Sequence, residues 1–172
     1  MEITKEEIIK GGEFITKQTK SDEIFTPEDF SEEQKMMRDA VKDFTDKEIW
    51  SKKHEFETHN YQLTADVMKK AGNLGFLGVN VPEEYGGLGM PFTSSMLVCD
   101  YISGSSGSTS TAFGAHTGIG TMPILLYGTD EQKRKYIPKL ATGEHIGAYC
   151  LTEPSAGSDA NNGKTKAVVS DD

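Results

Sequence analysis

Apolar positions recur along this chain with a helical period through its middle and lose that period near its end. From Ser31 onward, Met37, Val41, Phe44 and then Glu48 fall at helical spacing, with Ile49 and Trp50 closing the apolar face. Ser31 followed by Gln34 is a capping-box pattern, in which side chain and backbone satisfy each other at a helix start. A second helix is marked by Leu63, Val67, Ala71 and Leu74 at steps of four, four and three, with Gly75 placed as its C-terminal cap. Pro82, Gly86, Gly87 and Gly89 make 82–91 a loop, and a third helix is predicted from about Thr93 to Ser103. Ala112, Phe113, Ala115, Ile119, Met122, Ile124, Leu125 and Leu126 are apolar nearly all round, which predicts a helix buried on every side and hence a bundle. Thr129 caps a further helix from Asp130 to about Leu140, with Asp130 and Glu131 at the positive end of its dipole and Thr142-Gly143 at its stop.

The flanks read differently. Residues 1–28 are polar and weakly patterned, with one short helix predicted from Lys5 to Phe14 and broken by Gly11 and Gly12, so they form an extension that must pack on something or move. The stretch Gly104 to Ser110 has the composition of a Gly/Ser linker, although the apolar helix after it argues for packing instead. After residue 144 the pattern turns strand-like: Ile146 to Leu151 is short, apolar and bounded by turns, and Lys164 to Val169 is β-permissive. Two such strands do not make a sheet stable in water, so a truncation or a missing partner segment is expected.

Charge and composition then narrow the function. The chain has 172 residues and a net charge of -9, which repels a phosphate backbone and argues against nucleic acid as a partner. No apolar run approaches the roughly 20 residues of a membrane span. The two cysteines, Cys99 and Cys150, stand apart from each other and from any histidine cluster, which argues against zinc and for reduced thiols. Glu2, Glu6 and Glu7 near the start fit neither a secretory signal nor a transit peptide, so a bacterial cytoplasm or a processed mitochondrial protein is expected.

Candidate chemistry gathers at Thr152-Glu153-Pro154-Ser155-Ala156-Gly157-Ser158-Asp159. Pro154 fixes an extended start and Gly157 permits a tight return, so N–H groups and the hydroxyls of Thr152 and Ser158 can face one ligand. By itself this is a polar binding loop or an ordinary surface turn. His116, alone on an apolar helix, reads as a satisfied core histidine, with proximity to an acyl tail as its functional alternative. Gly114 and Gly118 have the small-x-x-x-small spacing of close helix packing. No G-x-G-x-x-G follows a strand and no G-x-S-x-G elbow exists, which removes support for a dinucleotide fold and for nucleophilic hydrolysis.

The segment from Ala148 to Asp159 closely resembles the signature of acyl-CoA dehydrogenases. Val81-Pro82-Glu83-Glu84-Tyr85-Gly86-Gly87-Leu88-Gly89, Phe113-Gly114-Ala115-His116, Ile124-Leu125-Leu126-Tyr127-Gly128 and Gln132 to Glu144 are similar to further blocks of that family, in its order and spacing. Gly11-Gly12-Glu13-Phe14 resembles a segment of the larger, very-long-chain type. The resemblance implies a mainly α fold: an extension over 1–28, an all-α N-terminal domain over 29–143, and the start of a middle β-domain over 144–172. It implies FAD as cofactor, bordered by Tyr149, Cys150, Leu151, Thr152, Gly157 and Ser158, with Ser158 also facing acyl-CoA. It further implies oxidation of saturated acyl-CoA to trans-2,3-enoyl-CoA in fatty-acid β-oxidation, an electron-transfer flavoprotein as acceptor, and a homo-oligomer. The base that removes the α-proton comes, in this family, from a C-terminal domain, and none of Glu83, Glu84, Glu144 or Glu153 matches it. The same resemblance leaves open a non-catalytic assembly or lipid-binding module and, more weakly, an oxidase.

Overall fold

Ser31 and Gln34 do more than start a helix. In the computed structural model, which describes Ile9 and residues 11–169, the Gln34 N–H donates to Ser31 Oγ at 3.2 Å and the Ser31 N–H donates to Gln34 Oε1 at 3.0 Å. The amide nitrogen left over on Gln34 then donates to the hydroxyls of Thr93 and Ser94, both at 3.2 Å. Helix α1 (Glu32–Phe44) is therefore tied at its first turn to α4 (Phe92–Ser105), the helix it packs along.

Beyond Phe44 the chain widens into a π-helical turn at Thr45–Ile49, passes a tight turn at Trp50–Lys52 and enters the short α2 (Lys53–Glu57). The wide turn carries an extra residue per hydrogen-bonded ring and so shifts the helical phase. Ile49 stays fully buried, but Trp50 is turned outward and 57% exposed under Lys53, not on the apolar face its spacing suggested. Helix α3 (Tyr61–Asn73) starts on Asn60, whose side chain accepts from the Leu63 N–H, and buries Val67, Met68 and Ala71. Leu74 lies past its last turn and is 55% exposed, while Gly75 takes the left-handed conformation expected of a C-terminal cap. In the loop that follows, Gly86 and Gly89 also have positive φ, and Val81 and Tyr85 are buried against α7 (Asp130–Ala141).

The Gly/Ser stretch is not a linker. Helix α4 runs to Ser105 and α5 (Gly107–Gly114) begins two residues later, capped by the Ser106 side chain, with Ser105, Ser106 and Thr109 buried. Small side chains at this corner let the two helices lie against each other, and packing outweighs the local preference for disorder. The apolar run after it is also corrected. It is divided into α5, a wide turn at Ala115–Gly120 and α6 (Met122–Tyr127), and it is buried on one side only. Phe113 and His116 point inward, whereas Ile119 and Leu126 are more than half exposed. Among the described residues, no element covers that outer side. Gly114 and Gly118 face open space rather than a neighbouring helix, so their spacing does not mark a packing seam.

Two apolar clusters result. The larger gathers Val41, Phe44 and Ile49 with Met68, Leu77, Val98, Ile102 and Phe113, and the smaller joins Val81 and Tyr85 to Ile137 and Leu140. Helix α7, capped by Thr129 and Gln132 as its sequence implies, carries the second cluster. The join between the two layers passes over Gly72, where a Cβ would collide with the backbone carbonyl of Thr142.

Both predicted strands are absent. Among the described residues no β-strand forms: residues 146–151 and 164–169 belong to no regular element, and a single isolated antiparallel bridge pairs Glu153 with Ala156 in the loop after the first segment. Strand-forming residues need a partner edge to satisfy their backbone groups, and here there is none. In the extension, Gly11–Ile15 forms a 3-10 turn and Phe25 packs edge-on against Phe30 at 5.5 Å; most of the predicted helix from Lys5 lies outside the described residues. No helix among those described is long and apolar enough to cross a membrane.

Replacing Gly72 with alanine should destabilise the bundle by about 2 kcal/mol, because the obstructing atoms are backbone and do not rotate away. Gly114→Ala meets nothing and should be neutral or stabilising by up to about 1 kcal/mol through helix propensity. Paired urea unfolding curves check both; equal midpoints for the two variants would contradict this packing.

Candidate functional site

The polar loop at 152–159 is held in place from behind by a residue far from it in sequence. His116 has no exposed surface, and both its ring nitrogens are engaged. The Gly147 N–H donates to Nδ1 at 2.9 Å, and Nε2 lies 3.0 Å from the Leu140 carbonyl oxygen. Since Nδ1 accepts, the proton sits on Nε2 and is donated to Leu140, which fixes the neutral tautomer. Burial pushes the imidazole below its ordinary pKa, opposed by the hydrogen bond to Leu140. The histidine thus fastens the wide turn after α5, the last turn of α7 and the chain leaving α7 into one junction. The structure assigns it the core role and leaves neither nitrogen free for a ligand.

A close backbone approach completes that junction. A Cβ on Gly120 would stand 2.7 Å from the carbonyl carbon of Gly147, so position 120 requires glycine for the chain to pass, while a Cβ on Gly147 would be tight at 3.1 Å from the Gly120 Cα. Sequence reasoning did not single out this pair. A glycine inside the strand-like run Ile146 to Leu151 was the available signal, because such a glycine often marks close contact with another backbone.

From Gly147 the chain emerges to the surface. Tyr149 is 54% and Leu151 47% exposed, and Cys150, Thr152, Gly157 and Ser158 are exposed as well. The hydroxyls of Thr152 and Ser158 have no hydrogen-bond partner among the described residues. The chain folds back at Ala156, which is buried, through a pair of 3.0 Å backbone hydrogen bonds with Glu153. The six residues predicted to border a cofactor therefore lie on one short outward-facing segment. The arrangement offers an aromatic and an aliphatic side chain beside unpaired hydroxyls, which suits a flat ring with polar edges. A separate apolar groove of about 590 Å³, lined by Met37, Phe44, Leu74, Phe76 and Met90, shares no residue with this segment.

A helical bundle that pins an outward-facing polar loop at its end is the class of domain these features define. Residues 31–144 match the model of the family described as acyl-CoA dehydrogenase, N-terminal domain, and the chain belongs to the acyl-CoA dehydrogenase family. A probable acyl-CoA dehydrogenase of Bacillus subtilis (strain 168) is 45% identical over 165 residues, covering 96% of this chain and 28% of that protein. The mitochondrial isovaleryl-CoA dehydrogenase of Solanum tuberosum is 40% identical over 139 residues, covering 80% of this chain and 34% of that protein. Among solved structures, an acyl-CoA dehydrogenase from Bacillus anthracis complexed with FAD matches with a TM-score of 0.82 and 46% identity, over 91% of this chain and 26% of that one. The chain thus spans about a third of the length of the relatives it matches.

His116→Ala should remove about 3 kcal/mol of stability, by opening a cavity and leaving the Leu140 carbonyl and the Gly147 N–H unpaired. Because burial lowers the folded-state pKa, the unfolded chain binds the extra proton as pH falls through about 6.5. The neutral histidine's contribution is therefore present above that pH and lost below it. His116→Gln, which keeps one donor and one acceptor, should flatten the fall in melting temperature between pH 7 and 5; an unaltered slope would assign the titration elsewhere.

Proposed function

We propose that this chain supplies the helical N-terminal wall and a flavin-facing loop of an FAD-dependent acyl-CoA dehydrogenase that oxidises saturated acyl-CoA to trans-2,3-enoyl-CoA in fatty-acid β-oxidation. The observation that carries the reading is the outward-facing segment Tyr149 to Ser158, fixed from behind by His116 and Gly120. In this reading 29–143 is the helical domain and 144–172 begins the β-domain, gaining its strand partners from chain beyond it. The FAD-bound relative from Bacillus anthracis supports the choice of cofactor.

FAD would take up the hydride lost from the β-carbon of the acyl chain. The residues of this chain bind and orient. Leu151 and Tyr149 would present apolar surface to the ring, the Thr152 hydroxyl would offer a hydrogen bond, Cys150 and Gly157 would border the cofactor, and Ser158 would also face the acyl-CoA. No residue here is the α-proton base. Hydrogen bonding from the Thr165 side chain, and then from the Lys164 and Thr165 N–H groups, holds the Glu153 carboxyl below the ordinary range, which unsuits it for taking a proton. Substrate length stays coarse in this reading: the likeness to the very-long-chain type rests on Gly11 to Phe14, while the Solanum tuberosum relative is an isovaleryl-CoA dehydrogenase. An electron-transfer flavoprotein as acceptor, a homo-oligomeric state, and a bacterial cytoplasmic or mitochondrial-matrix setting belong to the same proposal.

In the full-length protein, Thr152→Ala should shift the flavin absorption band and slow turnover roughly three- to tenfold, the worth of one hydrogen bond. A variant with unchanged spectrum and rate would remove Thr152 from the site.

A further inference from the structure

The loop between Pro154 and Gly163 is closed at its neck by one side chain. Glu153 exchanges backbone hydrogen bonds with Ala156, both at 3.0 Å, at the start of the loop. Its carboxylate then reaches to the far end, where the Lys164 N–H donates to Oε2 at 2.6 Å and the Thr165 N–H donates to Oε1 at 3.0 Å. Gly163 stands directly against this contact, since a Cβ there would lie 3.2 Å from Oε1. Hydrogen bonding from Thr165, and then from Lys164, holds the carboxyl below the ordinary carboxylate range, so both oxygens remain acceptors at neutral pH.

Two adjacent N–H donors call for two acceptor oxygens and no competing donor, which only an ionised carboxylate supplies. The span between donors and acceptor is eleven and twelve residues, and neither end of the loop belongs to a helix or strand. Among the described residues, the carboxylate is therefore the link that sets the separation of the two ends. Gly157 and Ser158 lie inside the closed segment, and Leu151 and Thr152 lie immediately before it.

Resting on the flavin-facing reading of this loop, we propose that Glu153 is a positioning residue: its carboxylate closes the neck of the loop and so fixes Gly157 and Ser158 relative to Leu151 and Thr152. It touches neither flavin nor substrate in this role. Its loss should loosen flavin binding while leaving the helical bundle intact, because Glu153 belongs to neither apolar cluster.

The test is Glu153→Gln in the full-length protein, whose side chain keeps one oxygen acceptor and turns an NH2 group against the second amide. Amide hydrogen exchange at Lys164 and Thr165 should speed up roughly tenfold, the loss expected for a charge-assisted hydrogen bond. The flavin absorption band should shift, FAD should dissociate more readily by a similar factor, and the melting temperature of the flavin-free protein should stay unchanged. Unchanged exchange at both amides would overturn the clamp. Faster exchange with unaltered flavin spectrum and FAD retention would overturn its positioning role. The flavin reading fails separately, through Thr152→Ala, and exchange at Lys164 and Thr165 decides the clamp whichever way that falls.

Discussion

The imidazole of His116 joins three stretches of chain that have no local reason to meet. It sits on the wide turn after α5, donates to the last turn of α7 and accepts from Gly147, where the chain leaves the bundle. A charged ring would have no acceptor for the Gly147 N–H, so the junction exists only while the histidine is neutral. Burial enforces that state, and the same burial depends on the helices packing around it. Tautomer, helix packing and the exit direction of the chain are one constraint, not three.

The consequences run outward from that point. With Gly147 fixed and Gly120 giving it room, the residues after it can reach the surface with Tyr149, Leu151 and Thr152 presented outward. The remaining constraint is then on the far side of the loop, where Glu153 gathers the backbone of residues 164 and 165. A buried neutral histidine at one end and an exposed ionised carboxylate at the other hold a segment that has no sheet to stabilise it. This arrangement is consistent with a loop that must keep its shape at the edge of a helical domain.

Membership of the acyl-CoA dehydrogenase family gives this geometry its setting: in the function proposed above, the loop would hold a flavin ring in register with an acyl thioester. The outer side of α5 and α6 fits the same picture. Ile119, on the wide turn between them, and Leu126, on α6, are apolar and more than half exposed.

What the sequence determined alone were the features written locally. Helical period, the capping box at Ser31, the cap at Thr129, the stop at Gly75 and the glycine-rich loop all follow from residues within a few positions of one another. From its composition alone the polar loop stayed either a binding loop or a surface turn, and the resemblance to a known family made it a candidate site. Where the reading failed, the cause was a shift of helical phase or the absence of a distant partner. Trp50 was turned outward by a wide turn, and Gly114 and Gly118 face open space. The two predicted strands had the right residues and no partner edge. The contacts His116 to Gly147 and Glu153 to Thr165 span many residues, and hydrogen-bond partners at that separation are chosen by packing, which a one-dimensional pattern does not contain.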